Sequence, residues 1–405
     1  MTDTIIIGAG AAGCMAAIFA ARYGKSVLMF EPNEKIGRKL RITGKGRCNV
    51  TNNSPVEEHI KNIPVNSRFM YSAFSMFSAE DTINFFEDSG VPLKTERGNR
   101  VFPVSDRAED IVNALDKELK KSGVKIIHKR VESLIIENGS VCGIIVHGKE
   151  YRSGSVLIAC GGKSYPNTGS TGDGYKLAES AGHTITELKP SLVPLVSGDK
   201  FCSELMGLSL RNVTLKLYDH EKIIFSEFGE MLFTHFGVSG PLILSASSHI
   251  REMQKDRYKI IIDLKPALSP EQLDSRIKRD FAENLNRDFI NGIRKLLPAK
   301  LIPVIVKLSG IAPERKINSI TKEERHKFGE LIKAFPVKIS EFRPIDEAII
   351  TSGGVSVREI NPKTMESKLI NNLFFAGEVI DVDAYTGGFN LQIAFSTAYS
   401  AALYL

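Results

Sequence analysis

Cysteine is scarce in this chain, and long apolar runs are absent. Five cysteines are spread over 405 residues, and no two of them form a C-x-x-C pair. This pattern argues against a disulfide framework or a zinc site and fits a reducing cytoplasm. No stretch reaches the roughly 18 apolar residues that a membrane helix needs. The apolar segment 5–21 has no basic flank and contains glycines, so it does not predict a signal peptide.

Spacing alone reveals no Ser-His-Asp set, no paired carboxylates and no metal-ligating cluster, so we expect no metal. Composition is that of a globular protein, with 42% hydrophobic and 25% charged residues. The length predicts about two to three domains. The formal net charge of +6 has two interpretations. It reflects either a solvated surface with a small basic excess or an anionic partner such as a nucleotide or RNA.

The first 31 residues have the pattern of a strand, a glycine-rich turn, a helix and a second strand. The β-branched run 4–7 precedes Gly-Ala-Gly-Ala-Ala-Gly at 8–13, and Glu31 stands at the end of the second strand. In this pattern the backbone of the turn binds a pyrophosphate and the acid accepts hydrogen bonds from ribose hydroxyls. The predicted dinucleotide-binding residues are Gly8, Gly10, Ala11, Ala12, Gly13 and Glu31.

The segment 37–52 is dense in glycine, hydroxyl, amide and basic residues. We interpret it as a loop around a polar, anionic group, and the alternative is a solvated basic loop. It follows Glu31 closely, so it is expected beside the adenosine and pyrophosphate, reaching toward the ring system. The predicted cofactor-binding residues here are Arg38, Lys39, Thr43, Gly44, Arg47 and Cys48.

The C-terminus repeats the arrangement of strand, glycine turn and helix, at 373–376, 386–390 and 391–405. A second helix N-terminus favours the anionic reduced form of a flavin, and an NAD site has no need for it. The cofactor is therefore predicted to be FAD. The predicted contacts are Gly377, Glu378, Asp383, Gly388, Asn390, Leu391 and Gln392.

The intervening sequence completes an FAD domain of the glutathione-reductase type. We predict a strand at 123–127, a hairpin at 131–136 and 141–147, and a returning strand at 155–160. Val131, Cys160 and Gly161 are the remaining predicted cofactor contacts. The glycine-rich stretch 169–174 has no strand directly before it, so we interpret it as a flavin-side loop before a helix at 175–182.

Together these motifs resemble the BaiN/RdsA-type FAD-dependent oxidoreductases, also called aminoacetone-oxidase-like. Besides the N-terminal turn, the resemblance depends on TGKGRCNVTN at 43–52, GGKSYPNTGSTGDG at 161–174, LFTHFGVSGP at 232–241 and AGEVIDVDAYTGGFNLQ at 376–392. The chain departs from the family at Ala384-Tyr385, where glycine more often follows the aspartate.

The resemblance implies an α/β protein with a discontinuous Rossmann-type FAD domain and two insertions. The FAD domain would take in 1–190 and 345–405. A β-rich domain would take in 191–267 and 335–344, and a small helical domain 268–334.

Three residues are candidate catalysts: Cys48, His235 and Asn390. Cys48 has no partner cysteine nearby, so the alternative is a small residue packed near the cofactor. His235 donates a proton or closes the site, and the alternative is an ordinary loop histidine. Glu378 and Asp383 orient the flavin loop or act as bases, although Asp383 also suits a helix cap.

The leading functional hypothesis is a reductase. No second nucleotide fingerprint is present, so NAD(P)H would dock transiently, and hydride would pass through FAD to a polarised C=C bond of a small molecule. The alternative is an RNA-modifying enzyme that reduces uridine in ribosomal RNA, and a third interpretation is flavin binding without turnover. The RNA hypothesis draws on the basic residues Arg276, Lys278, Arg279, Arg287, Arg294, Lys295 and Lys300, which acids interrupt.

Overall fold

The computed structural model describes residues 2–405. The chain forms two compact units. The first unit takes in the chain up to Ser191 together with Pro344–Leu405, and the second unit is Leu192–Arg343.

Strands occur in both units. They are β1 Thr2–Ile7, β2 Val27–Phe30, β3 Thr51–Asn52, β4 Leu93–Glu96, β5 Arg100–Pro103, β6 Lys125–Ile127, β7 Ser133–Glu137, β8 Ser140–Val146, β9 Lys149–Ile158, β10 Lys189–Ser191, β11 Leu195–Val196, β12 Ser209–Asp219, β13 Lys222–Thr234, β14 Gly237–Ser239, β15 Tyr258–Asp263, β16 Phe335–Ile339, β17 Glu341–Phe342, β18 Ile350–Ser352 and β19 Leu373–Phe375.

Helices alternate with the strands in the first unit and cluster in the second. They are α1 Ala11–Arg22, α2 Arg38–Ile42, α3 Val56–Lys61, α4 Tyr71–Met76, α5 Ala79–Asp88, α6 Ala108–Lys121, α7 Asp173–Ser180, α8 Phe201–Glu204, α9 Pro241–Ser247, α10 Pro270–Ala282, α11 Phe289–Gly292, α12 Ile302–Ser309, α13 Lys322–Lys333 and α14 Phe389–Ala402.

The main sheet of the first unit has a parallel part in the order β6-β2-β1-β9-β19. In chain order this is 3-2-1-4-5, the order of a Rossmann-type domain. The predicted fold class is therefore confirmed. The carboxyl ends of parallel strands meet at one edge of a sheet, and there the chain places Gly8, Glu31, Cys160 and Gly377.

Strand β9 is longer than the sequence predicted. It begins at Lys149, whereas the prediction began at 155, because its first half pairs antiparallel with β8 in a hairpin. Its second half pairs in parallel with β1 and β19. One strand thus joins the antiparallel meander to the parallel sheet.

Helices α1 and α14 pack against each other in the core of the first unit. Both are rich in alanine, and most residues of each helix are buried. Small side chains allow this close packing. The C-terminal helix predicted at 391–405 is observed at Phe389–Ala402.

The segment 37–52 is not the continuous loop that the sequence predicted. It contains α2, a short 3₁₀ turn at Thr43–Gly46 and the strand β3. The reason is tertiary: β3 joins a three-stranded sheet with β5 and β4, and α2 packs against α6. Basic residues such as arginine and lysine also have good helix propensity.

The two connections between the units run beside each other within the first unit. Strand β10 precedes Leu192, β18 follows Arg343, and the two strands pair antiparallel from Lys189 to Ser191 against Ile350 to Ser352. The Oγ atoms of Ser191 and Ser352 both donate hydrogen bonds to the carboxylate of Asp383, at 3.0 and 2.9 Å. We refer to this pair of strands as the connecting ribbon.

The second unit contains a seven-stranded antiparallel sheet in the order β16-β15-β12-β13-β14-β11-β17. Helices α10 to α13 follow β15 in the chain, and their apolar residues belong to the same hydrophobic core as those of the sheet. The finer division into a β-rich and a helical domain stays a prediction. Within residues 2–405, no helix is long and apolar enough to cross a membrane.

Candidate cofactor site

The turn between β1 and α1 is built from three glycines with different environments. At Gly8, φ is +105°, and an added Cβ would lie 2.6 Å from the carbonyl oxygen of Ala159. At Gly13, an added Cβ would lie 1.9 Å from the carbonyl oxygen of Gly8. An added Cβ at Gly10 would meet no atom within 4 Å. Packing therefore requires Gly8 and Gly13, whereas Gly10 faces open space at the start of the helix.

Two long helices begin without a side-chain cap at this edge of the sheet. The N-caps of α5, α10 and α13 are Ser78, Ser269 and Thr321, each in a capping box. The N-caps of α1 and α14 are Gly10 and Gly388, and neither helix has an acidic residue in its first turn. Their first N–H groups lack intrahelical acceptors, so both helix ends favour an anion.

Glu31 is held beside the first of these helix ends. It is 8% exposed, and its Oε2 accepts a hydrogen bond from the backbone N–H of Ala9 at 2.9 Å. Its Oε1 accepts from the backbone and side-chain amides of Asn33, at 2.9 and 2.6 Å. Arg38 donates to Oδ1 of Asn33 at 2.5 Å. The carboxylate is therefore fixed next to the glycine turn, where the sequence predicted a ribose contact.

Lys39 and Glu378 form an ion pair that joins distant parts of the chain. Nζ of Lys39 lies 2.6 Å from Oε2 of Glu378 and 2.8 Å from Oγ of Ser164. Oε1 of Glu378 accepts hydrogen bonds from Oγ of Ser164 at 3.0 Å and from the backbone N–H of Thr351 at 2.9 Å. Glu378 thus joins three distant segments, those of Lys39, Ser164 and Thr351, to the C-terminal turn, and its role toward the flavin stays a prediction.

The segment after α2 is held mainly by contacts within the protein. Oγ1 of Thr43 donates to the carbonyl of Leu40 at 2.7 Å, and Gly44 follows in the 3₁₀ turn. Arg47 pairs with Glu96 and Asp106, both at 2.5 Å, and its guanidinium lies 4.1 Å from the ring centroid of Phe102. The predicted contact of Arg47 with the cofactor would have to compete with these two carboxylates.

Cys48 is fully buried and lies in an unusual backbone conformation. Its φ is +59°, and its relative exposure is 0%. Burial raises the pKa of its thiol to about 12. The thiol is therefore protonated at neutral pH, a poor state for nucleophilic or redox chemistry. The neighbouring Asn49 has a buried Oδ1 with no hydrogen-bond partner in the protein.

The turn before α14 is held by hydrogen bonds from the side chain of Asn390, in the first turn of the helix, to the backbone of Ala384. Oδ1 of Asn390 accepts from the backbone N–H of Ala384 at 2.8 Å, and its Nδ2 donates to the Ala384 carbonyl at 2.7 Å. Gly388 has a φ of +101°, and an added Cβ would lie 2.3 Å from the Thr51 carbonyl oxygen. The N-cap of α14 is Gly388, not Asp383, whose carboxylate accepts hydrogen bonds from Ser191 and Ser352 of the connecting ribbon.

Gln392 lies inside the protein, one turn into α14. It is 0% exposed, and its Oε1 accepts from the hydroxyls of Thr51 and Thr82 at 2.6 and 2.8 Å. Its Nε2 lies within hydrogen-bond distance of the carbonyls of Phe77 and Ser78. Its side chain is thus used in packing α14, and the preceding Leu391 is partly exposed.

The remaining contacts predicted in the first unit follow its sheet strands. Cys160 and Gly161 come after β9, and Sγ of Cys160 lies 3.5 Å from the Ile7 carbonyl oxygen. Burial raises the pKa of Cys160 to about 12. Val131 is buried just before β7. These three residues, like those above, belong to the first unit.

His235 belongs to the second unit, in the short turn between β13 and β14. Its side chain is exposed, and its ring lies edge-on to Phe236 with the centroids 5.0 Å apart. Its predicted role as a proton donor stays a prediction.

The first unit suits FAD on three observations of its own geometry. The N-termini of two helices, α1 with 12 residues and α14 with 14 residues, lie at the carboxyl edge of the sheet without a side-chain cap. The open space at Gly10 suits a phosphate close to the backbone, and Glu31 is fixed beside it. Asn49 and Thr171 each keep a buried oxygen without a partner in the protein. The individual cofactor contacts remain predictions.

Sequence reasoning missed several residues that support this site. Asn33 orients both Glu31 and Arg38, while Ser164 and Thr351 hold Glu378. Ser164 lies in the motif GGKSYPNTGSTGDG at 161–174, so the sequence could have indicated that it belongs to the site. Thr351 lies in a three-residue strand with no motif around it. Within residues 2–405, no group of three or more His, Cys, Asp or Glu side chains is placed to hold a metal.

The fold and the site define the class of this protein: it is an FAD-dependent oxidoreductase with a Rossmann-type domain. Residues 2–404 match the family described as "HI0933-like protein Rossmann domain". The chain belongs to this family, which confirms the resemblance drawn from its motifs.

Three relatives align with nearly the whole chain. A protein named ribosomal RNA dihydrouridine synthase from Haemophilus influenzae is 32% identical, with 99% of this chain and 98% of that protein covered. One of the same name from Escherichia coli is 29% identical, with 99% and 97% covered. A protein named 3-dehydro-bile acid delta(4,6)-reductase from Clostridium scindens is 31% identical, with 98% and 97% covered.

Proposed function

We propose that this enzyme reduces a C=C bond conjugated to a carbonyl group, and that its substrate is a uridine of ribosomal RNA. The observation that carries the proposal is the chemistry shared by its full-length relatives. Dihydrouridine forms when the uracil C5=C6 bond, conjugated to the C4 carbonyl, is saturated. A delta(4,6)-reductase of a 3-dehydro bile acid saturates bonds conjugated to the 3-oxo group. Both reactions add a hydride to a carbon made electrophilic by a carbonyl.

The sequence analysis favoured a small-molecule substrate, and the names of the relatives lead us to prefer ribosomal RNA. Two of the three full-length relatives are named for ribosomal RNA. The net charge of +6 is also of the sign that nucleic acid requires.

The chain's own residues would bind and orient the cofactor for this reaction. The first N–H groups of α1 would bind the pyrophosphate, with Glu31 on the adenosine ribose. The N-terminus of α14 would face the flavin ring and favour negative charge on it. When bound, FAD would supply the hydride for the C=C bond, and NAD(P)H, docking transiently, would be the reductant that restores the reduced cofactor.

A proton must reach the carbon next to the carbonyl. Cys48 is a poor donor, because burial raises the pKa of its thiol to about 12. The amide of Asn390 is engaged on both sides by the backbone of Ala384. His235 is exposed, and histidine is the side chain that most often transfers protons in enzymes. We therefore keep His235 as the proposed proton donor.

The second unit offers exposed basic residues for phosphate contacts. Arg276, Lys278 and Lys295 pair with acids, and this agrees with the interruptions noted in the sequence. Arg279, Arg287 and Arg294 are exposed and have no ion pair within residues 2–405. These three arginines are the proposed phosphate contacts.

The test is charge reversal of the three arginines to glutamate in one variant. RNA binding should weaken, and the slope of log K against log salt should fall by up to about 2, since each phosphate contact on a single strand adds roughly 0.7. The matched control reverses three exposed lysines of the first unit, Lys25, Lys117 and Lys125. The FAD spectrum should stay unchanged in both variants.

A deletion strain tests the substrate directly. Dihydrouridine should disappear from its ribosomal RNA, return with the wild-type gene and return with the control variant. The proposal is wrong if the modification is unchanged in the deletion strain.

A small enone is the second candidate substrate, and the ion pairs of Arg276, Lys278 and Lys295 favour it, because they leave less free positive charge. In that case a 3-oxo-Δ4 steroid should oxidise NADPH in the presence of the enzyme, and the arginine reversals should leave the rate unchanged.

A further inference from the structure

The sheet of the second unit has one buried face and one open face. Residues alternate between buried and more exposed along β15 and β16, and along β12 from Val213 to Tyr218. The buried residues of these strands belong to the hydrophobic core that also contains apolar residues of α10 to α13. Because successive side chains of a strand point to opposite faces, the more exposed residues lie on the other face of the sheet.

Cross-strand pairing identifies the residues that share this other face. Residues directly opposite each other in an antiparallel pair lie on the same face. The pairing of β12 with β13 and β15, and of β15 with β16, defines what we call the open sheet face, whose aromatic, apolar and basic residues include Lys216, Tyr218, Ile223, Phe228, Lys259 and Lys338. Each of these residues is partly or largely exposed, so the rest of residues 2–405 leaves this face open.

The open sheet face is more apolar than a solvated sheet face usually is. Antiparallel sheets that face water on one side generally carry polar residues there. Here Phe228 and Ile223 are 49% and 45% exposed, and Tyr218 and Ile261 are partly exposed on the neighbouring strands. Exposed apolar groups gathered on one surface are a mark of interaction sites.

The same face carries positive charge that the protein does not neutralise. Lys216 lies on the central strand β12, and Lys338 lies on β16. In the part of the chain that the structure describes, neither lysine has an ion pair. Both ammonium groups therefore remain free for an anionic partner.

Acids on this face leave those lysines unaffected. Asp263 is paired with Lys333, whose Nζ lies 2.6 Å from its Oδ2. Glu230 is exposed two residues beyond Phe228 on β13, at the other end of the face from Lys338. The positive end of the face is thus the end that contains Tyr218.

An aromatic ring and an ammonium group are neighbours at this end. Nζ of Lys259 lies 5.4 Å from the ring centroid of Tyr218 and 3.1 Å from Oε1 of the exposed Glu221. The contact between residues 218 and 259, which pair across β12 and β15, agrees with their position on one face. Because Glu221 partly neutralises Lys259, this lysine is left out of the contacts proposed below.

Aromatic and basic side chains alternate across the face. Phe228 pairs with Thr214, four residues before Tyr218 on β12. With a rise of roughly 3.4 Å per residue, the two aromatic positions are about 14 Å apart, and Lys216 lies halfway between them. A single-stranded nucleic acid has the complementary pattern, because its bases stack on aromatic rings and its phosphates bind basic groups.

We propose that the open sheet face binds a single-stranded segment of RNA. Bases would stack on Tyr218 and Phe228, and phosphates would contact Lys216 and Lys338. An acidic protein segment would match the lysines but would leave the exposed rings without bases to stack on them, so RNA is the partner that uses both features. The proposal rests on the RNA substrate proposed above and adds a second contact surface to the three arginines of this unit.

Fluorescence anisotropy of a labelled oligouridine of about ten nucleotides measures this binding with the purified holoenzyme. Phe228→Leu keeps an apolar side chain without an aromatic ring and should weaken binding at least about fivefold, whereas Phe228→Tyr should bind like the wild type. Leu285→Ala is the matched control, because Leu285 is also an apolar residue of the second unit, 50% exposed, but lies outside the sheet.

A second pair of variants tests the phosphate contacts. Lys216→Glu combined with Lys338→Glu should lower the slope of log K against log salt by about 1.4, since each phosphate contact on a single strand adds roughly 0.7. The control combines Lys307→Glu with Lys327→Glu, because these exposed lysines belong to α12 and α13 and not to the sheet. Circular dichroism and FAD absorbance should match the wild type in every variant, so that a loss of binding is not a loss of folding.

Three results would each overturn the proposal. They are the absence of saturable oligouridine binding, equal affinity of Phe228→Leu and the wild type, and displacement of the oligouridine by polyglutamate as effectively as by unlabelled oligouridine, which would indicate an acidic protein partner. The deletion strain described above tests the proposed reaction separately. If dihydrouridine is lost there while Phe228→Leu binds oligouridine normally, the open sheet face is refuted and the proposed reaction is not.

Discussion

Replacing Gly13 and Gly10 by alanine, one at a time, should separate packing from cofactor binding. At Gly13 an added Cβ would lie 1.9 Å from the Gly8 carbonyl oxygen, and real Cβ atoms essentially never approach closer than 3.0 Å. The helix and the turn must therefore separate by about 1.1 Å, which is 3.0 minus 1.9. At Gly10 an added Cβ meets nothing within 4 Å.

The energies follow from these distances. Overpacking typically costs about 1–3 kcal/mol, and alanine in place of glycine in a helix returns up to about 1 kcal/mol. We expect Gly13→Ala to lose roughly 1–2 kcal/mol of unfolding free energy and to bind FAD poorly. Gly10→Ala should keep or slightly raise the stability of the apoprotein, because the backbone at Gly10 has a φ of −82° that alanine adopts readily.

The two variants are compared by urea unfolding of the apoprotein and by titration with FAD. Gly10→Ala should fold normally and still lose FAD affinity, because its methyl group would occupy the space assigned to the pyrophosphate. If Gly10→Ala binds FAD as tightly as the wild type, the phosphate does not lie over Gly10. If Gly13→Ala unfolds at the wild-type urea concentration, the steric argument is wrong.

Three further predictions concern buried polar groups. Glu378→Ala should lower the unfolding free energy by about 1.5–3 kcal/mol, because it leaves Lys39 without its carboxylate. Urea unfolding measures this loss, and a change below about 0.5 kcal/mol would contradict the prediction. Burial lowers the pKa of His183 in the folded protein, despite its contact with Glu359. In the unfolded chain this histidine has its ordinary pKa of roughly 6.5, so below that pH the unfolded chain binds more protons than the folded protein. Stability should therefore fall as the pH drops from 7 to 5, and a flat profile would argue against a neutral buried ring. Cys48 should resist iodoacetamide at pH 8 in the native protein, whereas the partly exposed Cys142 reacts, and mass spectrometry would show both modified after denaturation.

The glycine turn between β1 and α1 was predictable from the sequence, because positions where a side chain would clash with the backbone must be glycine. Only glycine tolerates the contact of position 13 with the Gly8 carbonyl, so the spacing of Gly8, Gly10 and Gly13 indicated the turn. The Rossmann-type fold class also followed from the order of the predicted elements along the chain, and the observed sheet agrees with it.

Other features of the site depend on contacts between distant segments, which leave little local trace. Thr351 lies in the three-residue strand β18, where its backbone N–H donates to Glu378 and its Oγ1 accepts from the backbone N–H groups of Lys163 and Ser164. The helix α2 lies within a run of glycine and basic residues that indicated a loop. Its formation depends on packing against α6, far along the chain.

The buried His59 illustrates the same limit in the first unit. Its neighbours in sequence are acidic and helical, and nothing among them indicates burial. The ring is buried because Phe74 and Phe389 close around it, and Phe389 lies 330 positions away, as 389 minus 59 gives. Burial of this kind becomes visible only when the chain is folded.

The connecting ribbon shows that the second unit is an insertion whose two ends are close together. Because β10 and β18 pair antiparallel, the chain leaves the first unit and re-enters it at neighbouring points of one small sheet. A segment whose two ends are adjacent can be removed, exchanged or acquired without rethreading the rest of the chain. A gene lacking the codons for 192–343, with a short glycine-containing turn joining Ser191 to Pro344, should therefore encode a chain that retains the parallel sheet.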